Sequence, residues 1–333
     1  METVFTTHLE LHRRNRMSLT AEDHRSTGSL ASEASYASAS NPSGTTVTRF
    51  RNSLSAAAKH YDSFLIDQWG VLHDGRKPYP GAVQCLDRLI GDGKQVILIS
   101  NSGKRAVENE IRLNKIGFPA ESYTHLVTSG EIAWQMLAAG QGLFSKLTGK
   151  RCLLLTSDDP VDYAAGLPIS LADAEDADFI LLAGIDDRRP RHYYEHMIAT
   201  GLSRGLPLIC VNPDLMRITA AGLKPGAGGV ADRYQSRGGK VRYIGKPHLE
   251  IYTHCLKLAA GGPGERVLSI GDSLHHDIAG GRLAGIDTLL VMGGVHADAL
   301  PEDADPTSLR AAIMAIAGRY GALPDWAIPS FKW

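Results

Sequence analysis

Several protein classes are excluded by what the sequence lacks. It holds only four cysteines in 333 residues. These are Cys85, Cys152, Cys210 and Cys255; they lie far apart with no Cys-x-x-Cys pair, which argues against both a disulfide framework and a zinc site. The formal net charge is −1, so the basic excess that a nucleic acid or an anionic membrane surface would call for is missing. No apolar run approaches the ~18 residues that span a bilayer, and no secretory apolar region stands near the start. What is present is 43% hydrophobic and 21% charged residues, the make-up of an ordinary globular chain. The length is enough for about two domains at roughly 100–200 residues each. Cys152 and Cys210 lie inside apolar runs, and buried, reduced thiols in a cytoplasmic protein are the expectation.

The first 48 residues differ from the rest. From Ser26 to Thr48 the chain is rich in Ser, Ala, Gly and Thr. It has too little apolar surface to offset its ordering entropy, so residues 1–48 are expected to be disordered. Arg13, Arg14 and Arg16 suggest an organelle leader, whereas Glu2, Glu10, Glu22, Asp23 and Glu33 argue against one. Met17 as the true start is a third reading. Beyond residue 60, short apolar runs alternate with amphipathic stretches. The runs are Phe64–Ile66, Val96–Ile99, Leu126–Val127, Cys152–Leu155, Phe179–Leu182, Leu208–Val211, Val241–Ile244, Val267–Ile270 and Thr288–Val291. Continuous apolar runs of this length suit parallel strands buried on both faces. The stretches between them, such as Ala82–Asp92 and Pro247–Ala260, suit crossover helices. Repeated strand–helix units predict a doubly wound α/β architecture.

Polar residues end several runs: Asp67, Ser100-Asn101, Ser157-Asp158, Asn212-Pro213-Asp214 and Gly271-Asp272. Ligands of open parallel sheets bind beyond the carboxyl ends of the strands, which puts Asp67, Ser100 and Asp272 on the expected functional edge. Singly, each has a plain structural reading. Asp67 could cap a turn, Ser100 could cap a helix, and Lys246, before Pro247, could be a solvated lysine. Asp272 and Asp277, five apart after a strand, could hold a hard cation.

Their order along the chain is more specific than any one of them. Asp67-x-x-Gly70-Val71-Leu72, Ser100-Asn101, Lys246-Pro247 and Gly271-Asp272-Ser273-x-x-x-Asp277-Ile278 resemble motifs I to IV of the haloacid dehalogenase superfamily. The long insertion between the second and third resembles the α/β cap of its class IIA, which includes NagD-like, pyridoxal and p-nitrophenyl phosphatases. Asn212-Pro213-Asp214 and Pro225-Gly226-x-Gly228 resemble signatures of that cap. The resemblance covers roughly residues 60 to 300. It implies a Rossmann-like core at about 49–118 plus 236–333 and a cap at about 119–235. It also implies an Asp67 nucleophile forming an aspartyl-phosphate. Mg²⁺ would be held by the Asp67 carboxylate, the Trp69 carbonyl and Asp272, with Asp277 in support. Ser100, Asn101, Lys246 and the cap residue Asn212 are expected at the phosphate. A small phosphorylated metabolite is the expected partner, and a homo-oligomer is left open.

One position departs from the pattern. Phosphatases of the superfamily carry Asp-x-Asp in motif I, the second Asp being the general acid/base; here that place is Trp69. An indole N–H only donates, and general acid–base catalysis contributes about 10²–10⁴-fold. Three outcomes stay open: a slow phosphatase with a substitute acid such as His73 or Asp74, a binding protein without turnover, or, ranked last, dehalogenation. Elsewhere, His275-His276 reads as loop residues beside the metal site. Arg188, Arg189 and Arg191 read as a solvated loop, and Gly222–Gly229 as a substrate-facing or cap-return loop. The aromatic stretch Trp326–Trp333 reads as a strap over the core.

Overall fold

The computed structural model describes residues 48–157, 159–219, 222–259, 264–300 and 305–333. Residues 1–47, expected to be disordered, lie outside them. Each apolar run expected to be a strand is one. In order, the strands are β1 (Arg49–Phe50), β2 (Ser63–Asp67), β3 (Gln95–Ser100), β4 (His125–Thr128), β5 (Arg151–Leu155), β6 (Ser170–Leu171), β7 (Phe179–Leu182), β8 (Leu208–Cys210), β9 (Met216–Thr219), β10 (Gly222–Pro225), β11 (Val241–Tyr243), β12 (Val267–Gly271), β13 (Asp287–Val291) and β14 (Trp326–Ile328). The whole of β2 is buried, as a strand covered by helices on both faces must be. The intervening helices bury one stripe each. Ala82–Gly91 turns Ala82, Cys85, Leu86 and Leu89 inward, and Leu249–Ala259 turns in Ile251, Tyr252, Cys255 and Ala259, the spacing of one helical face.

The strands form two main sheets. The larger has seven strands in the order β1-β14-β13-β12-β2-β3-β4, every pairing parallel. Chain order reverses between β2 and β12, so the carboxyl ends of these two neighbours flank the crevice where open α/β sheets bind ligands. The second sheet has five strands, β11-β8-β7-β5-β6, also parallel, and β9 and β10 form a separate antiparallel hairpin.

Sheet membership shifts two expected boundaries. Residues 119–235 were assigned to the cap, yet β4 pairs with β3 in the core sheet. Residues from 236 onward were assigned to the core, yet β11 pairs with β8 in the cap sheet. An apolar run announces a strand but not the sheet it joins. A second correction concerns the carboxyl terminus. Trp326–Ile328 is not a strap but a buried strand of the core sheet, paired with β13 and β1. The stretch Gly222–Gly229 is the second strand of the hairpin followed by the start of helix Ala227–Ser236, not a loop. All four cysteines are free and buried. Among the described residues no helix is long and apolar enough to cross a membrane.

Candidate active site

Asp67 is the last residue of β2, and Asp272 follows the last residue of β12. The two strands are paired neighbours, so their carboxylates emerge side by side. Asp277 returns to the same point through a wide π-helical turn at Leu274–Ile278, where its Oδ2 accepts the Ser273 N–H at 3.1 Å. Carboxylate oxygens of Asp67, Asp272 and Asp277 lie within 4.8 Å of one another. Three acidic groups this close, all buried, need positive charge among them. Lys246 provides one cation, its Nζ bonded to Asp67 Oδ1 and, at 2.7 Å, to Asp277 Oδ1.

Asp272 is pinned from outside the cluster. Its Oδ2 accepts the Val295 N–H at 2.7 Å. Gly70 adopts φ +77°, and a Cβ there would lie 1.9 Å from Asp272 Oδ2. The Gly of Asp67-x-x-Gly70 is therefore required both by its backbone and by the carboxylate against it.

The electrostatics match the geometry. Burial pushes the Asp67 carboxyl up to about 7, against the pull of Lys246, and Asp277 adds to the rise. Asp272 is held well above the usual carboxylate range by burial and by the charges of Asp67 and Asp277. Burial alone would lower Lys246, but Asp277 and Asp67 outweigh it and keep its ammonium well above its ordinary value. One lysine does not neutralise three buried carboxylates. An all-oxygen donor set of this kind suits a hard divalent cation, so the residues present fit such an ion.

The other expected residues divide. Ser100 ends β3 beside Asp67, whose register partner is Ile99; its Oγ accepts the Ser102 N–H at 3.2 Å. Asn101 is adjacent, but its side chain is occupied: Oδ1 accepts Lys246 N–H at 2.6 Å, and Nδ2 donates to Lys246 O and to Asp214 Oδ1. Asn212 Oδ1 accepts the Asp214 N–H at 3.1 Å within its own turn. Two positions on in the same signature, Asp214 reaches the core through its bond from Asn101.

The Trp69 ring is packed against Gly75, where a Cβ would lie 2.0 Å from it. It meets His73 edge-on at 5.2 Å, with the Arg112 guanidinium 4.9 Å from its centre. Both substitute acids suggested by the sequence bond to the backbone of their own turn. His73 Nδ1 accepts the Gly75 N–H at 3.0 Å, and burial lowers its imidazole to about 4. Asp74 Oδ1 accepts the N–H groups of Arg76 and Lys77. Of the arginines read as a solvated loop, Arg188 pairs with Asp186 and Arg189 lies over Tyr193, whereas Arg191 opens helix Arg191–Arg204.

Comparison with known proteins agrees with this frame. Residues 64–169 match the family described as haloacid dehalogenase-like hydrolase, and residues 243–312 a second family described as HAD-hydrolase-like. The chain belongs to the haloacid dehalogenase superfamily. With its cap inserted between the Ser100 and Lys246 segments, it is a class IIA member. It is 29% identical over 250 residues to the acid sugar phosphatase of Staphylococcus epidermidis, covering 71% of this chain and 88% of that protein. Among solved structures, a haloacid dehalogenase-like family hydrolase from Brucella suis superposes with a TM-score of 0.69 at 27% identity, covering 84% of this chain and 99% of that one. The glycerol phosphate phosphatase of Mycobacterium tuberculosis, solved in complex with magnesium, gives a TM-score of 0.59 at 25% identity and covers 74% of this chain and 72% of that one.

Proposed function

We propose that the protein is a Mg²⁺-dependent phosphatase of a small phosphomonoester, working through an aspartyl-phosphate on Asp67. The observation that carries this reading is the convergence of Asp67, Asp272 and Asp277 with the buried Lys246 at adjacent strand ends. It is supported by relatives named as sugar and glycerol phosphate phosphatases, one of them solved with magnesium. Asp67, Asp272 and the Trp69 carbonyl would hold the ion, with Asp277 in support. Bound there, Mg²⁺ supplies the charge that lets a dianionic phosphate approach an anionic nucleophile. An Asp67 oxygen bonds to phosphorus as the bond to the ester oxygen breaks. Water then attacks the same phosphorus and the bond to Asp67 breaks, returning the carboxylate. The Lys246 ammonium and the Ser100 hydroxyl bind the transferring group, and Lys246 offsets its growing charge.

Trp69 favours a second reading, a phosphoester-binding protein without turnover, since no acid/base group stands at its position. Phosphate release from a panel of phosphomonoesters with Mg²⁺ separates the two. The phosphatase reading expects release that stops with a chelator and falls at least about 10³-fold in Asp67→Asn, the scale for loss of a nucleophile. Tight phosphoester binding with no release from any substrate leaves the second reading standing.

A further inference from the structure

The turn Asn212-Pro213-Asp214 is mounted firmly. Besides the Asn212 bond to Asp214 N–H, Gly228 N–H donates to Asp214 O at 3.1 Å and Gly226 N–H to Leu215 O at 2.7 Å. A Cβ on Gly226 would lie 2.1 Å from Asp214 O, and one on Gly228 2.1 Å from Pro213 O. The glycines of Pro225-Gly226-Ala227-Gly228 therefore let the start of helix Ala227–Ser236 press onto the turn. What the turn presents is one carboxylate. Asp214 Oδ1 accepts Asn101 Nδ2 at 2.8 Å, crossing from cap to core. His276 Nδ1 lies 3.8 Å from the same oxygen, beyond hydrogen-bond reach.

Asn101 is 5% exposed, and its amide can face only one way. Lys246 N–H is a donor and takes Oδ1, while Lys246 O and Asp214 are acceptors and take Nδ2. Turned over, the amide would set donor against donor and oxygen against carboxylate.

We infer that Asp214 is a positioning residue. It fixes the Asn101 amide and, through it, the main chain at Lys246, whose ammonium bridges Asp67 and Asp277. Asp214 itself need not touch the reacting atoms. The core site is complete only with this cap carboxylate seated. The kinetic part of this inference rests on the phosphatase reading; the structural part does not.

The test compares Asp214→Ala, which removes the acceptor, with Asp214→Asn, which keeps an oxygen for Asn101 Nδ2. Asp214→Ser, too short to reach Asn101, replaces the alanine variant should that one fail to fold. Hydrogen–deuterium exchange of the peptide carrying residues 243–249 needs no activity. Exchange at the Lys246 amide is expected to be slow in the parent and in Asp214→Asn, and about 10-fold faster or more in Asp214→Ala. With p-nitrophenyl phosphate and Mg²⁺, Asp214→Ala is expected to lower kcat by about 10- to 100-fold. KM is expected to stay within about threefold, and Asp214→Asn within about threefold of the parent in both constants. Unchanged exchange in Asp214→Ala overturns the inference. So does an Asn variant as impaired as the Ala variant, because the charge itself would then be acting, and so does a KM effect alone, which would make Asp214 a substrate contact. A parent that releases no phosphate defeats the phosphatase reading, while the exchange result still decides the coupling.

Discussion

Trp69 carries the sharpest question about this chain at the level of single residues. Its indole is wedged between Gly75, His73 and Arg112, so it is a packed side chain of the loop after β2. The neighbouring His73 and Asp74 each hold backbone N–H groups of the turn, His73 through Nδ1 and Asp74 through Oδ1. Burial lowers the His73 imidazole to about 4, and the N–H groups of Lys77 and Arg76 lower the Asp74 carboxyl against the effect of burial, so neither is held as a ready proton donor. Restoring the carboxylate in Trp69→Asp is expected to raise turnover of alkyl phosphates by about 10²- to 10⁴-fold, the usual worth of a general acid. Turnover of p-nitrophenyl phosphate should rise much less, since its phenolate leaves without protonation. Initial rates of phosphate release from the two substrates measure the contrast, and equal gains on both would mean that Trp69 limits something other than proton transfer.

The loop after β2 shows how burial converts to pH dependence at the scale of an element. It is self-bonded: Leu72 N–H donates to Gln68 O at 2.8 Å and Tyr79 N–H to Leu72 O at 2.8 Å. His73 is 1% exposed, between Trp69 and Phe118. Burial, with Arg112 nearby, lowers its imidazole from 6.5 to about 4. The unfolded chain takes up this proton first, so the stability tied to neutral His73 is present above pH 6.5 and is lost as pH falls toward 4. The loss is about 1.4 kcal/mol per pH unit in that window. Urea unfolding at pH 7, 6 and 5 should show a steeper decline for the parent than for His73→Gln; parallel declines would place the loss elsewhere. The same scale explains what was readable beforehand. Runs such as Phe64–Ile66 and Val267–Ile270 announce strands because both faces are buried. Two-residue β6 carries no such run, while β14 is a buried apolar triplet, Trp326–Ile328, whose place in the sheet is set by its neighbours β13 and β1. Asp67 and Asp272 were legible because they stand at the ends of strands, and Lys246 and Asp277 because they follow strands at short spacing. Asp214 was not, because its partner Asn101 lies 113 residues away and only folding brings them together.

For the molecule as a whole, cap and core share apolar packing. One cluster joins Leu65, Ile97 and Ile99 of the core sheet to Cys152, Leu154, Phe179 and Ile209 of the cap sheet, with Ile132, Ala133 and Leu137 of helix Ser129–Ala138 within it. Two sheets that share a core are expected to unfold together. The core sheet is in turn closed by the last residues of the chain: Lys332 O accepts the Leu54 N–H at 2.8 Å, and Phe331 is 1% exposed in the core cluster with Trp326 and Ile328. Removing that side chain leaves a cavity in a region where distant segments meet, so Phe331→Ala is expected to cost about 3–5 kcal/mol. Urea unfolding followed by tryptophan fluorescence and by far-ultraviolet circular dichroism should give one coincident transition, moved to lower urea with its slope unchanged. Two transitions, only one of them moved, would mean that the shared cluster does not couple the sheets. A loss under about 1 kcal/mol would mean that Phe331 covers the sheet without helping to close it.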